Sequence, residues 1–387
     1  MTLKQAPIGD LVAKCSTWNP IRDGSGEFDY IDLSSVDKDE KRVVTVERYP
    51  CAEAPTRARQ LVKAGDVLVA TVRPNLNGVA LVEESHDGMT ASTGYSVLRP
   101  LADKLDSGFL FHWVKTNAFV QRMIDVATGA NYPAVSDAKV RASTIPLPPL
   151  AEQKRIAAIL DAADALRAKR RESLAELDRL LQSTFLDLFG DPVTNPMGWE
   201  VKPLGELGTL DRGVSKHRPR NEPSLLGGAH PLIQTGEVAN SEGYIRSYTS
   251  TYSDLGLKQS KIWSAGTLCI TIAANIASTG ILTFDACFPD SVVGFKSDKG
   301  GRVEYVQGLF WFFKEILDQR APQVAQKNIN LKILRALPVP LPPADLQQRF
   351  ATIVESIERQ KTRLRAHLSE LDTLFASLQS RAFNGQL

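Results

Sequence analysis

"IPLPPLAEQKRI" (Ile145–Ile156) and "VPLPPADLQQRF" (Val339–Phe350) are two versions of one sentence, written 194 positions apart. Under that shift Pro146-Leu147-Pro148-Pro149 falls on Pro340-Leu341-Pro342-Pro343. Gln153, Arg155, Ala157 and Ile159 fall on Gln347, Arg349, Ala351 and Ile353. The match resumes at Arg171/Arg365 and Leu174/Leu368 and runs through Glu176-Leu177-Asp178 onto Glu370-Leu371-Asp372. Leu180, Ser183 and Phe189 then meet Leu374, Ser377 and Phe383, all without a gap. An internal repeat takes precedence over any local reading. Each copy predicts a long helix. Prolines stand just ahead of it, where a missing N–H costs nothing, and Glu152 and Asp345 place a carboxylate in the first turn, where the helix dipole favours one.

The second copy spaces Phe350, Ile357, Leu364, Leu371 and Leu378 by sevens, with Ile353 and Leu374 as companions and polar Gln360 and His367 between them. That is the seam of a coiled coil. The first copy offers Ile156, Ile159, Ala163 and Leu166, a basic break at Lys169-Arg170-Arg171, then Leu174, Leu177, Leu181 and Leu188, and stops at Gly190-Asp191-Pro192. Two unrelated surface helices are the plainer alternative, and Pro146–Pro149 as an extended proline ligand is another. Matched seams at a repeated junction favour helices that pack on each other.

Fainter echoes precede each helix. Pro7-Ile8-Gly9-Asp10-Leu11 resembles Pro203-Leu204-Gly205-Glu206-Leu207, and Ala64-Gly65-Asp66-Val67-Leu68 resembles Ala265-Gly266-Thr267-Leu268-Cys269. Each of the latter leads to an Asn-bearing turn, at Pro74–Gly78 and Asn275–Ser278. Short Val/Ile/Thr runs punctuated by Gly, Asn and Pro predict strands. "FLFHWVKTNAFVQRMI" and "QGLFWFFKEILDQ" predict one helix in each half. The expected order is a globular unit at 1–145, a helix at 146–191, a second globular unit at 192–339 and a last helix at 340–387.

Bulk composition sets the outer bounds. With 387 residues, 43% apolar and 23% charged, the chain is long enough for two cores and unlike a disordered polymer. Its net charge of +2 advertises no nucleic-acid tail, yet a specific binder can concentrate charge in clefts while staying near neutral overall. Residues 192–339, with 16 basic and 13 acidic side chains, are the most positive segment. Cys15, Cys51, Cys269 and Cys287 form no CxxC pair and are read as reduced thiols. MTLKQAPIGDL lacks the apolar segment of a secretory leader, and no apolar run is long enough to span a bilayer. A cytoplasmic protein with no membrane partner is the expectation.

Catalytic machinery is hard to find. There is no GxxxxGK[ST] loop and no Gly-rich cofactor turn after a strand. Asn131-Tyr132-Pro133 only superficially suggests the motif by which adenine methyltransferases hold a flipped base. Pro289-Asp290 lacks the Asp/Glu-x-Lys triplet of a metal nuclease nearby, and Asp39-Glu40-Lys41 fits that triplet but stands far upstream. The five histidines are isolated, so no metal site is expected.

The repeated PLPP-helix unit, the wording "PLPPLAEQKRIAAILDAADAL", the exit "LFGDP" and the ending "SRAFNGQL" resemble the specificity subunits of type I DNA restriction–modification enzymes, over the whole chain. The second clasp departs from the usual wording at Ala344-Asp345-Leu346. The resemblance implies an α+β fold: two mixed α/β target recognition domains, joined and separated by two long antiparallel coiled-coil helices in a pseudo-twofold tandem repeat. It implies a non-catalytic subunit that reads a bipartite, asymmetric site in double-stranded DNA. The partners implied are two methyltransferase subunits, with restriction subunits as a further possibility. S-adenosylmethionine, ATP and Mg would belong to those partners, and the chain itself would carry no cofactor. A self-sufficient DNA-modifying enzyme and a coiled-coil scaffold without DNA affinity remain the alternatives.

Base readout needs Arg, Lys, Asn, Gln or Ser on base edges, with further cations on phosphates. In the first half the candidates are Arg73, Asn75 and Asn77 of "TVRPNLNG", followed by Asn131 and Tyr132. In the second they are Arg212, Ser215, Lys216, Arg218 and Arg220 of "DRGVSKHRPRN", followed by Lys327 and Asn328. The basic stretches on the helices, Lys169–Arg171 and Arg359 with Lys361, Arg363 and Arg365, are read as solvated charge, with phosphate contact as the alternative.

Overall fold

The structure, a computed structural model, describes residues 3–129, 131–320 and 329–387. It divides into two compact units, Met1–Arg171 with Ala366–Leu387, and Glu172–Arg365. Each unit therefore contains a globular body together with part of both long helices, Leu150–Phe189 and Ala344–Phe383. No described helix is long and apolar enough to cross a membrane.

The repeated prolines close each body. In the first unit Gln5–Pro7 pairs antiparallel with Thr144–Pro146. In the second, Val201–Pro203 pairs in the same way with Pro338–Pro340. The first strand of each body thus meets the last, and the chain passes from that clasp into the long helix. A buried glutamine locks the junction. Gln153 Nε2 donates to the carbonyls of Lys104 (3.1 Å) and Pro148 (2.9 Å), while its Oε1 accepts from the Asp106 amide (2.9 Å). Gln347 Nε2 donates to Pro342 O (2.9 Å) and its Oε1 accepts from the Arg302 amide (3.0 Å). An amide side chain sealed from water needs such partners. This explains why the PLPP clasp carries a glutamine at a fixed distance.

The faint echo Pro-x-Gly-x-Leu also has a steric cause. A Cβ on Gly9 or on Gly205 would stand 3.2 Å from the carbonyl oxygen of Arg141 or Arg335 respectively, tighter than most side chains accept.

Both units then build the same two sheets. The core sheet of the first runs Val79–Leu81, Val67–Ala70, Tyr95–Pro100, Val12–Ala13; that of the second runs Thr279–Leu282, Leu268–Thr271, Val292–Lys296, Thr209–Arg212. The other sheet runs Ala58–Leu61, Thr90–Ser92, Glu27–Ile31, Glu47–Pro50 in the first, and Ile262–Trp263, Ala286–Cys287, Leu226–Leu232, Ser250–Tyr252 in the second. Even the parallel pairing within this sheet recurs, Thr90–Ser92 with Glu27–Ile31 and Ala286–Cys287 with Leu226–Leu232. The units differ at sheet edges, where Ser16–Thr17 is added to the first and Gly243–Ile245 to the second.

The helix expected from "FLFHWVKTNAFVQRMI" is two, Ser107–Val114 and Asn117–Val126. Thr116 interrupts the run: its hydroxyl accepts from the Phe119 amide and donates to Trp113 O, an N-cap that outcompetes continued helix. Val303–Arg320 is the single helix expected in the second half.

The long helices bury their stripes within each unit. Phe383 meets Phe109 and Trp113, each 5.1 Å between ring centres, in the first. Phe189, its repeat partner, meets Tyr305 at 4.8 Å and Phe350 at 5.5 Å in the second. The expected seam needs correcting in phase. Phe350 and Ile357 are buried as read, but their companions are Val354, Lys361 and Phe375, one residue later than Ile353, Gln360 and Leu374. Leu374 and Leu166 are 48% and 53% exposed. Taking Phe350 as the position followed by a four-residue step, rather than a three-residue one, restores the alternation.

The helix cations are not merely solvated either. Lys361 is 2% exposed and pairs with Asp178 (2.7 Å) and Glu358 (3.1 Å). Arg365 pairs with Glu242, and Arg171 reaches Asp372.

Candidate nucleic-acid interface

In the first unit, residues 71–78 connect two antiparallel core strands, Val67–Ala70 and Val79–Leu81. Pro74 starts a short 3₁₀ turn that is flanked by Arg73 and Asn77, both left-handed, at φ 51° and 45°. Asn tolerates that region and Arg rarely enters it, so the surroundings must hold the turn in place. The Arg73 amide donates to Pro133 O (2.7 Å), and Lys41 Nζ donates to Asn77 O (2.7 Å). Burial lowers the Lys41 pKa, and the charge of Lys115 lowers it further.

A second loop lies against the first. Thr128 and Ala134 exchange both backbone hydrogen bonds at 2.9 Å, and the Val135 amide donates to Thr71 O. Gly129 makes this closure possible: at φ 102°, its missing Cβ would lie 2.8 Å from Tyr132 O. The loop lifts Asn131 and Tyr132 into solvent, and the Arg73 guanidinium lies 5.0 Å from the Tyr132 ring centre, a cation–π contact. All five first-half candidates therefore gather at one end of the core sheet. Arg73, Asn75, Asn131 and Tyr132 are exposed and Asn77 is half-buried.

The equivalent turn of the second unit has the same backbone and different chemistry. Ala274 and Ala277 are left-handed at φ 60° and 58°, and the Ile329 amide donates to Ile272 O as Val135 does to Thr71. Asn275 is the one large polar side chain in residues 272–277, and no cation is present. Positive charge arrives instead from the chain that follows Thr209–Arg212. Arg212 lies opposite Val293 and Thr271 opposite Val292, so both leave the sheet at the same end.

Asp290 organises this second cluster. Its carbonyl accepts from Arg212 Nε (2.9 Å), and its carboxylate accepts from Arg218 Nη2 (3.2 Å) and from Arg220 Nη2. Arg218 Nη1 also donates to the carbonyls of Ser215 (2.6 Å) and His217 (2.8 Å). Lys216 is exposed, and its amide and that of His217 converge on Gln259 Oε1. Ser215 is 6% exposed, so its hydroxyl is not offered to solvent. Lys327 and Asn328 lie outside the described residues. Lys41, Gln259 and Asp290 were missed as site residues. Their partners stand 36 or more positions away, and no local pattern marks such contacts.

Exposed guanidinium, ammonium and carboxamide groups on two preset edges can donate to base edges and to phosphate oxygens. The family model for the type I restriction modification DNA specificity domain matches residues 58–178 and 196–371. Among similar proteins, the putative type I restriction enzyme MjaX specificity subunit of Methanocaldococcus jannaschii is 24% identical over 317 residues, 76% of this chain and 72% of that one. The EcoKI specificity subunit of Escherichia coli K12 is 23% identical over 399 residues, 94% and 80% of the two chains. The crystal structure of a type I restriction–modification S subunit from M. genitalium covers 99% of this chain, and this chain 96% of it, with a TM-score of 0.59 and 14% identity. A chain from work on type I complex assembly and conformational transition covers 100%, with 98% of its own length matched, a TM-score of 0.58 and 24% identity. At these identities the two structures speak for the fold alone.

Proposed function

The chain belongs to the type I restriction modification DNA specificity family, which gives it a role in DNA sequence specificity, and from that premise we propose that each unit reads one half of a split, asymmetric duplex site. The observation that carries this reading is the pair of sheet frames, alike in the order of their four shared strands, that present unlike side chains at the same end. One frame presents Arg73, Asn75, Asn77, Asn131 and Tyr132. The other presents Arg212, Lys216, Arg218 and Arg220, with Lys327 and Asn328 as further candidates in sequence. Unlike readers on like frames suit two different half-sequences. The chain works without chemistry of its own. It directs two methyltransferase subunits, and restriction subunits where present, to the site. S-adenosylmethionine, ATP and Mg act on those partners, in the cytoplasm.

The test is exchange. Residues 1–145 are replaced by the corresponding half of a relative, the variant is co-expressed with its modification subunits, and genomic methylation is mapped. One half of the methylated sequence should change and the other persist. Both halves changing together, or methyl transfer by the purified chain alone, would overturn the reading.

A further inference from the structure

We propose that Arg220 is the guanine-reading residue of the second unit and that Asp290 with Arg218 is the brace that aims it; this deepens the DNA-reading role above and rests on it. The basic stretch offers several cations, and hydrogen-bond accounting sets Arg218 apart from Arg212 and Arg220. A guanidinium has five N–H donors in a planar fork. Arg218 spends three of its donors on the protein: Nη1 on Ser215 O and His217 O, Nη2 on Asp290. Arg212 makes one hydrogen bond among the described residues, from Nε to the Asp290 carbonyl, and what marks out Arg220 is its tether to the Asp290 carboxylate, which Arg218 shares. Arg220 makes one hydrogen bond among the described residues, from Nη2 to Asp290 Oδ1, and none of those residues engages its Nε or Nη1.

The brace is stiff. The Gly213 amide donates to Val292 O (2.9 Å), the Val214 amide to Phe288 O (3.1 Å) and the Val292 amide to Pro289 O (3.0 Å). The two strands of backbone approach so closely at Gly213 that a Cβ would fall 2.3 Å from Phe288 O and 2.4 Å from Pro289 O. Asp290 thus projects from a fixed segment and tethers Arg220 at one corner. A tethered fork loses less side-chain freedom on binding. The tether takes one of the two Nη2 hydrogens, and the other still forms a fork with Nε or with Nη1; guanine O6 and N7 are the pair that arginine matches bidentately in the major groove. In the first unit the exposed cation is held differently, with the Arg73 guanidinium over the Tyr132 ring.

The experiment maps methylation by the complex of full-length chain and modification subunits, comparing Arg220→Ala, Arg220→Lys, Arg218→Ala and Asp290→Asn. Arg220→Ala and Arg220→Lys should each relax a single G·C position in one half-site, by about 10- to 100-fold in discrimination; the lysine variant keeps the charge and loses the fork. Asp290→Asn and Arg218→Ala should lower discrimination at that same position by less. The other half-site, read as before, reports that each variant is folded. Uniform weakening at unchanged sequence in Arg220→Ala would mark a phosphate contact and overturn the proposal. So would relaxation by Arg218→Ala that exceeds relaxation by Arg220→Ala, and unchanged discrimination in Asp290→Asn would remove the brace. A parent complex that methylates without sequence preference would instead sink the reading on which this rests.

Discussion

Arg73 and Ala274 occupy the same turn of the two units, left-handed in both, and share nothing in chemistry. Gln153 and Gln347, by contrast, keep residue type, burial and the carbonyl they hold, Pro148 in one unit and Pro342 in the other. The duplication has been preserved where the chain contacts itself and has drifted where it contacts solvent. A junction glutamine has no freedom, because any substitute orphans backbone groups. A turn residue needs only a tolerable backbone, and its side chain can follow whatever it must recognise. Breaking the two units at matched points should show how far their equivalence extends.

The largest effect is expected at the glutamines. Gln153→Ala leaves the Asp106 amide and the Lys104 and Pro148 carbonyls without their partner, and Gln347→Ala leaves the Arg302 amide and the Pro342 carbonyl. At about 1 kcal/mol or more for each stranded group, the first should cost about 3 kcal/mol and the second about 2. Denaturant unfolding of the full chain, followed by amide exchange in each unit, would measure both. Equal and negligible losses would show that the clasp is held by its strand pairing alone.

Next come the ion pairs on the long helices, where the units diverge. In the first, Lys115 and Arg167 share Asp164 at 2.6 and 2.7 Å, and Arg167 also reaches Asp372. Burial pushes the Asp164 pKa up, but Lys115 and Arg167 outweigh it and leave the carboxyl below its ordinary 3.8. Lys115 itself is lowered, because its burial exceeds the pull of Asp164. The pair therefore stabilises less than its short distance suggests. A depressed acid stabilises the fold above the unfolded pKa and stops doing so as pH falls through the folded one. Asp164→Asn should cost about 2 kcal/mol at pH 7, and its deficit against the parent should shrink below pH 4. Asp178→Asn in the second unit should cost under about 1 kcal/mol, since its side chain is 55% exposed and Lys361 keeps Glu358. Urea midpoints across pH 2.5–7 test the pair. A pH-independent deficit for Asp164→Asn would mean lost packing rather than lost charge.

Local physics explains what could be read in the sequence. The PLPP clasp, the glutamine and the glycines at 9 and 205 are imposed by contacts that both copies must make, so repetition exposed them. The strand pairings were out of reach, because Thr90 must find Tyr30 and Arg212 must find Val293 over long stretches of chain. Thr116 was misread because an apolar run on both sides masks an N-cap. Arg73, Asn75, Asn131 and Tyr132 were found as two polar loops, but their meeting at one sheet end depends on the Thr71–Val135 hydrogen bond, which has no sequence mark.

The heptad phase gives the smallest and most discriminating expectation. Sevens from Phe350 fix one line of the helix but leave open whether the companion stands three or four residues on, since both choices give the same period. Leu374 and Phe375 are neighbours and both apolar, so composition cannot choose between them. In the structure Phe375 is 7% exposed and receives the Arg167 guanidinium at 4.5 Å from its ring centre, whereas Leu374 faces outward. Leu166 is likewise displaced from the buried line that Ala163 occupies. Leu374→Gln and Leu166→Gln should therefore each change stability by no more than about 0.5 kcal/mol, while Phe375→Ala in the same assay should cost about 3. If Leu374→Gln proved as damaging as Phe375→Ala, the three-residue step would be the true seam. The buried line Val354, Lys361, Phe375 would then have to be abandoned, along with the account of Lys361 as a paired interior cation.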